Sequence, residues 1–244
     1  MPAANEMITE FQGQPRRTVN MGTLASGLKI WKGALGIHLG GVVRPLVAGA
    51  TLAALLTTIP GADANGGVTL RALRPGVTVA LSGGTSTSLG LTSITFGANT
   101  VAVVIQLATD NAAAVTTTAA ALVAFIRGHA FLNQLLLCQA TGTGAGLCAA
   151  ATVTAVIFGA VLGWAAETYG DPAAQANQSI PMLFQQGAAR VSVGSPAPTA
   201  AAMGGPVGLG DDLGAATLAP GPLDFTVTLS NIDSRGAVFV AVGA

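Results

Sequence analysis

VTLRALRPG at residues 68–76, NTVAVVIQLATDN at 99–111 and TTTAAALVAFIRGHA at 116–130 are the stretches whose reading decides the fold. Val68, Leu70 and Ala72 alternate with Thr69, Arg71 and Leu73. After the break at Arg74–Gly76, Val77, Val79 and Leu81 alternate with Thr78 and Ala80. A period of two belongs to strands, because successive side chains leave opposite faces of the backbone. Leu91, Ile94 and Phe96 lead into Val101–Leu107, whose nearly continuous apolar character reads as a central strand. The period then changes. Val115, Ala119, Leu122, Val123 and Ile126 recur at spacings of three and four, which makes one apolar face of a helix with Phe125 on its flank and Gly128 at its end. Asp110, Asn111 and the threonines at 116–118 are candidate caps, since a short oxygen-bearing side chain can accept from a free N–H of the first turn. The expectation is an antiparallel strand group with this helix packed across it. Phe131–Gln139 reads as a further short helix or strand, and TGTGAG at 141–146 closes the unit.

Outward from this module the pattern is shorter. Gly27, Gly33, Gly36, Gly40 and Gly41 interrupt apolar pieces of a few residues. A helix there would lose about 1 kcal/mol at each glycine, so short strands and tight turns fit better. Leu28, Ile30 and Ala34 are expected to point inward and Lys29 outward. PGADANGG at 60–67 reads as a turn and a domain boundary. The expected organisation is an N-terminal arm at 1–20, a β-rich base in two pieces at 21–65 and 148–195, and an inserted α+β module at 66–147. An extended loop or arm follows at 196–222, then a β-hairpin at 223–244. The fold class is therefore mainly β with a small α+β insertion: a small β-barrel or sandwich with a strand-helix module inserted and extended arms.

Composition narrows the function. Charged residues are 8% of the 244 and apolar residues 51%, with no net charge, whereas a typical soluble domain carries about 25% charged residues. Such a surface does little to keep copies apart, so it belongs in a membrane or under other protein. Cys148–Ala166 holds no charge over a span just long enough for a bilayer, but its alanines, threonines and β-branched residues suit a buried strand. Leu46–Pro60 is too short to span, and neither stretch has a basic flank. The N-terminus carries two glutamates before any apolar run and is not read as a signal peptide. The scattered lysines and arginines provide no groove for tracking nucleic acid. Cys138 and Cys148 read as buried thiols, with a disulfide left open because the glycine loop between them could turn back.

No catalytic pattern emerges. His38 and His129 lack metal-ligand spacing, and nothing in the sequence places Cys138, His129 and Asp110 together. GTGAG at 142–146 is reminiscent of a phosphate loop but lacks the following lysine. Asp211 and Asp212, in a glycine-rich loop, form the one adjacent acidic pair and read as a solvated turn rather than a calcium site. No cofactor, metal, small-molecule substrate or enzymatic activity is expected.

TLASGLKIWKGALGIHLGGVVRPLVAG at 23–49 resembles the opening of the small β-rich capsid decoration proteins of tailed bacteriophages, with a K-G-A-L turn at Lys32–Leu35 and a G-x-x-x-P strand at Gly41–Pro45. VLGWAAETYGD at 161–171 resembles a later segment of the same family. Residues 68–76 and 101–126 are similar to a module inserted in many phage virion proteins, in which a strand ends in L-A-T-D and a threonine-containing cap opens an alanine-rich helix. PGVTVALSGG stands where that module often has a G-N-x-I strand. The resemblance implies a non-enzymatic virion protein on the outer surface of the head, assembled in the host cytoplasm, a decoration or cement subunit whose partners are the major capsid protein and copies of itself. A neck, tail or fibre component is the alternative within that class, and a membrane-associated protein or enzyme the alternative outside it. Candidate assembly residues are Phe11, Arg16 and Arg17 of the N-terminal arm and the arm from Pro196 to Pro222. Deletion of residues 1–20 is expected to leave the fold intact and abolish incorporation into particles.

Overall fold

The structure, a computed structural model, describes residues 11–25, 27–46, 56–170, 179–191, 193, 195–209, 216–217 and 220–242. The chain divides into two compact units, a module at Leu55–Gly159 and a flanking unit built from Met1–Ala54 and Ala160–Ala244. The flanking unit opens with β1 (Phe11–Leu24), β2 (Leu35–Leu39) and β3 (Val42–Pro45). The module carries β4 (Thr57–Ile59), β5 (Val68–Ala72), β6 (Val77–Ser82), β7 (Gly90–Phe96) and β8 (Val101–Gln106). It continues with α1 (Ala119–Gly128), α2 (Leu132–Leu135), β9 (Leu136–Ala140) and β10 (Ala151–Ala155). The flank resumes with β11 (Gly159–Ala165), β12 (Ser179–Val191), β13 (Pro206–Leu209), β14 (Ala216–Thr217), β15 (Thr226–Ile232) and β16 (Val238–Val242). The fold is mainly β, in several sheets with a small helical insertion.

The module follows its apolar periods. Val77, Val79 and Leu81 of β6 and Val101, Val103 and Ile105 of β8 are buried, paired side by side, while the residues between them are half-buried. On α1, Ala119, Leu122, Val123 and Ile126 are buried in the same core. Burying a side chain such as Leu122 or Ile126 stabilises by about 1.5–3 kcal/mol, which is what fixes a helix with one apolar face to the strands. Phe131–Gln139 contains both expected elements, a single helical turn and then β9.

Two features differ from the sequence reading. The strand group is not purely antiparallel: in the sheet ordered β10-β6-β8-β7, β6 and β8 run parallel. The loop after Ser82 carries the chain past the site of β8 to the far edge, where β7 forms an antiparallel pair with β8. β8 is thereby left between two strands of opposite direction. The module is also wider than residues 66–147. β4 pairs with β5, β10 pairs with β6, and PGADANGG lies inside the unit, with Gly61 bridged to Cys148 and Asp63 Oδ2 accepting from the Leu147 N–H at 3.0 Å.

In the flanking unit one sheet is ordered β1-β3-β2-β11-β12-β16-β15-β13-β14, and β1 pairs additionally with β12. Leu24, Ile30, Ala34, Val43, Leu162, Ala165, Tyr169, Met182 and Phe184 form a core there. Gly36 is required by close approach, because a Cβ at that position would run into the Phe184 ring. Residues 11–20, expected as part of an arm, lie in β1, with Phe11 opposite Ala189 and Val19 opposite Leu183. The expected arm at 196–222 contributes β13, antiparallel to β15, and β14 beyond it. Where they are described as strands, at 11–12, 16–20, 206–209 and 216–217, both stretches pair with strands of the same chain.

Candidate functional site

Phe11, Arg16 and Arg17 are spaced along β1, where Arg16 is opposite Gln186 and Arg17 opposite Gln185. Pro196 is exposed after a cis peptide bond with Ser195, and Pro222 is exposed in the turn before Phe225. Deleting residues 1–20 would remove most of β1 and its pairing with β12, so the expectation that the fold survives this deletion is withdrawn.

The residues weighed for catalysis are each committed to structure. His129 Nδ1 accepts from the N–H groups of Phe131 and Leu132 at 3.2 and 3.4 Å, and its ring lies tilted on Phe125 with centroids 5.8 Å apart. Asp110 Oδ1 accepts from the N–H groups of Ala112 and Ala114 at 2.9 and 2.8 Å and so shapes its own loop instead of capping α1. Cys138 is buried, with its Sγ 3.8 Å from the Val123 carbonyl oxygen. Both cysteines are free thiols and no disulfide joins them. Burial raises the pKa of Cys138, and that of Cys148 to about 11. His38 lies on β2, and burial lowers its pKa. Among the described residues no three His, Cys, Asp or Glu side chains are grouped to hold a metal. Asp211 and Asp212 lie outside the described residues.

The glycine loop is closed to phosphate. A phosphate at a helix N-terminus needs free N–H groups, and those of α1 are taken. Thr118 Oγ1 accepts from the Ala121 N–H at 3.2 Å, and the Gly146 and Gly144 carbonyls accept from those of Ala119 and Ala120 at 3.0 and 2.9 Å. The loop thus turns carbonyl oxygens toward the helix. Of the candidate caps, Thr118 fills the position.

Among the described residues no helix is long and apolar enough to cross a membrane, and the uncharged stretch from Cys148 onward forms β10 and β11.

A different feature escaped the sequence reading. The face of the four-stranded sheet away from the core carries Thr78, Ala80 and Ser82 of β6 beside Ala102, Val104 and Gln106 of β8, continued by Ser93 and Thr95 of β7. None of these residues is charged. At the edges of this sheet Val153 of β10 is 69% exposed, and Phe96 of β7, opposite Val101 and so on the other face, is 59% exposed. The available signal was the uncharged run from Gly83 to Thr100, but its alternation is too weak to mark one face. Arg71 was also missed. It is buried at 3% exposure and donates from Nη1 to the Gly159 carbonyl at 2.9 Å, tying β5 to the end of the module.

Comparisons of the chain with protein families, with curated proteins and with solved structures find no match.

Proposed function

We propose that this chain is a non-enzymatic structural protein of a tailed-phage virion, a decoration subunit that stabilises the head by adding protein interface over the coat lattice. The observation that carries the reading is how the two stretches with the flanking resemblance meet. Residues 23–49 and 161–171 are distant in the chain, yet Ile30 and Tyr169 exchange backbone hydrogen bonds at 2.9 and 2.8 Å. Gly33 donates to the Ala165 carbonyl at 2.8 Å, and Leu24, Ile30, Ala34 and Val43 share a core with Leu162, Ala165 and Tyr169. Two resemblances to one family that fold into one body support the reading more than either does alone. The low charge and the uncharged sheet face fit a protein covered by others, since apolar and neutral surface is the cheapest to desolvate in an interface.

The test is cryo-electron microscopy of particles from cells producing the phage, with antibody against this chain. Density and label distributed over the head lattice are the expected result. Label confined to one vertex or to the tail would move the assignment to a neck or tail component, and absence from particles would overturn the reading.

A further inference from the structure

We propose that His129 is a pH-operated latch on the link between α1 and β9: its bare Nδ1 holds the single turn α2 closed, and a proton at that atom releases it. The first N–H groups of a helical turn have no partner within it, and an oxygen or nitrogen from elsewhere must satisfy them. Phe131, at the cap position of α2, has no such atom in its side chain and makes no cap hydrogen bond. His129 takes the task from two residues earlier. Its Nδ1 accepts from the N–H groups of Phe131 and Leu132 at 3.2 and 3.4 Å, and its carbonyl accepts from that of Asn133 at 3.1 Å. The turn held in this way seats Leu132 and Leu135 in the module core.

An imidazole nitrogen accepts only while it carries no proton, and in the imidazolium both nitrogens are donors. A proton on Nδ1 would point at two N–H groups, so the ring must turn away and both amides lose their partner. No carboxylate is at hand to hold the charged ring in place. The titratable groups on the elements of the module are Arg127 of α1, Arg71 of β5 and the Cys138 thiol of β9, while α2, β4, β6, β7, β8 and β10 carry none. Arg127 donates to the Cys138 carbonyl at 2.7 Å and Arg71 to that of Gly159. In the loops, Arg74 follows β5 and Cys148 precedes β10. The module's two carboxylates belong to the other end of α1, a helix of ten residues and so about 15 Å long. Asp63 binds the N–H of Leu147, which is bridged to Thr118, and Asp110 binds those of Ala112 and Ala114 in the loop before α1. The C-terminal end of α1 tolerates a cation beside it, so protonation removes the two contacts to α2 without being barred by the helix that precedes it. Histidine changes charge between about pH 5 and 8. The latch is closed at the upper end of that range and opens toward the lower, loosening Leu132 beside Phe131, which is already 56% exposed.

The test is amide hydrogen exchange of the full chain at about pH 8 and about pH 5, each rate divided by that of an unstructured amide at the same pH. The wild type, His129→Asn and His129→Ala are compared. His129 is half-buried and its backbone N–H caps α1 by donating to the Phe125 carbonyl, a bond that both variants keep. In the wild type the protection of Phe131 and Leu132 is expected to fall at least tenfold at the lower pH, while that of β6 and β8 stays constant. His129→Asn, whose side-chain oxygen accepts but does not titrate, should keep its protection at both values. His129→Ala should show the low level at both. Equal protection of the wild type at the two values, a fall in His129→Asn as large as in the wild type, or a fall that persists in His129→Ala would each overturn the latch.

Discussion

The module and the flanking unit are both built mainly of strands, but they recruit their partners over different distances. In the module, β7 and β8 are joined by a short hairpin and α1 packs on β9, which follows it after one helical turn, while β5 and β6 pair with β9 and β10 from the far end of the module. In the flanking unit the longest pairing joins β1 near one end of the chain to β12 near the other, with the entire module between them. Closing a longer loop costs more entropy, although only as the logarithm of its length, and it slows folding more than it weakens the product. The module can therefore be specified by local period. The flank has hairpins of its own, β2 with β3 and β15 with β16, but it also depends on the complementarity of β1 and β12, which are far apart in sequence.

Core truncations probe this comparison most strongly. Phe184→Ala empties the centre of the flanking core, where the ring faces Gly36, and is expected to destabilise by about 4 kcal/mol. Leu122→Ala on α1 is expected to cost about 3 kcal/mol. Equilibrium urea unfolding gives the totals, and amide hydrogen exchange reports where protection is lost. Faster exchange in β1 and β12 for the first variant and in α1, β6 and β8 for the second is the expected pattern. The reverse pattern would break the comparison. Arg71→Met is expected to cost about 2 kcal/mol, because it leaves the Gly159 carbonyl without its charged donor. Thr118→Ala should cost about 1 kcal/mol, since only the Ala121 N–H loses its partner while Ala119 and Ala120 keep theirs. The same unfolding measurement checks both, and equal costs would mean that the buried arginine contributes no more than a surface cap.

How far the fold was legible follows from these distances. The helical face at Ala119, Leu122, Val123 and Ile126 and the alternation in β6 could be read directly, because each segment declares its buried side by its own period. The parallel pairing of β6 with β8 could not, since direction depends on where the loop after Ser82 crosses, and a loop of glycine, serine and threonine fits either route. Residues 11–20 looked like an arm because FQGQPRRTVN has no apolar period. It is a strand because β12 supplies its hydrogen bonds, and that partner is invisible locally. The threonine cap was legible as a set of three, and the choice of Thr118 over Asp110 was fixed by a loop in which Asp110 binds its own neighbours. The uncharged face was present as composition. Only strand order turns a scattered lack of charge into one surface.

The smallest effect concerns the cysteines, which probe the module core without changing its volume. Both thiols are buried, and burial disfavours the thiolate, raising Cys148 from 9.0 to about 11 and raising Cys138 as well. For Cys138 the nearby Arg127 guanidinium opposes the shift. An acid whose folded pKa lies above its unfolded value loses its proton first in the unfolded chain, so alkaline pH favours unfolding. The contribution of Cys148 should be fully present below pH 9 and should fall progressively as pH rises to about 11. Urea midpoints at pH 8, 9.5 and 11 for the wild type and Cys148→Ala measure it: the wild type should lose more stability across this window than the variant. The native thiols should also react slowly with a thiol reagent at pH 8 and rapidly once urea opens the module. Parallel pH profiles for the two proteins would show that Cys148 titrates alike in both states, and fast labelling of the native chain would place its thiols outside the core on which the module's legibility depends.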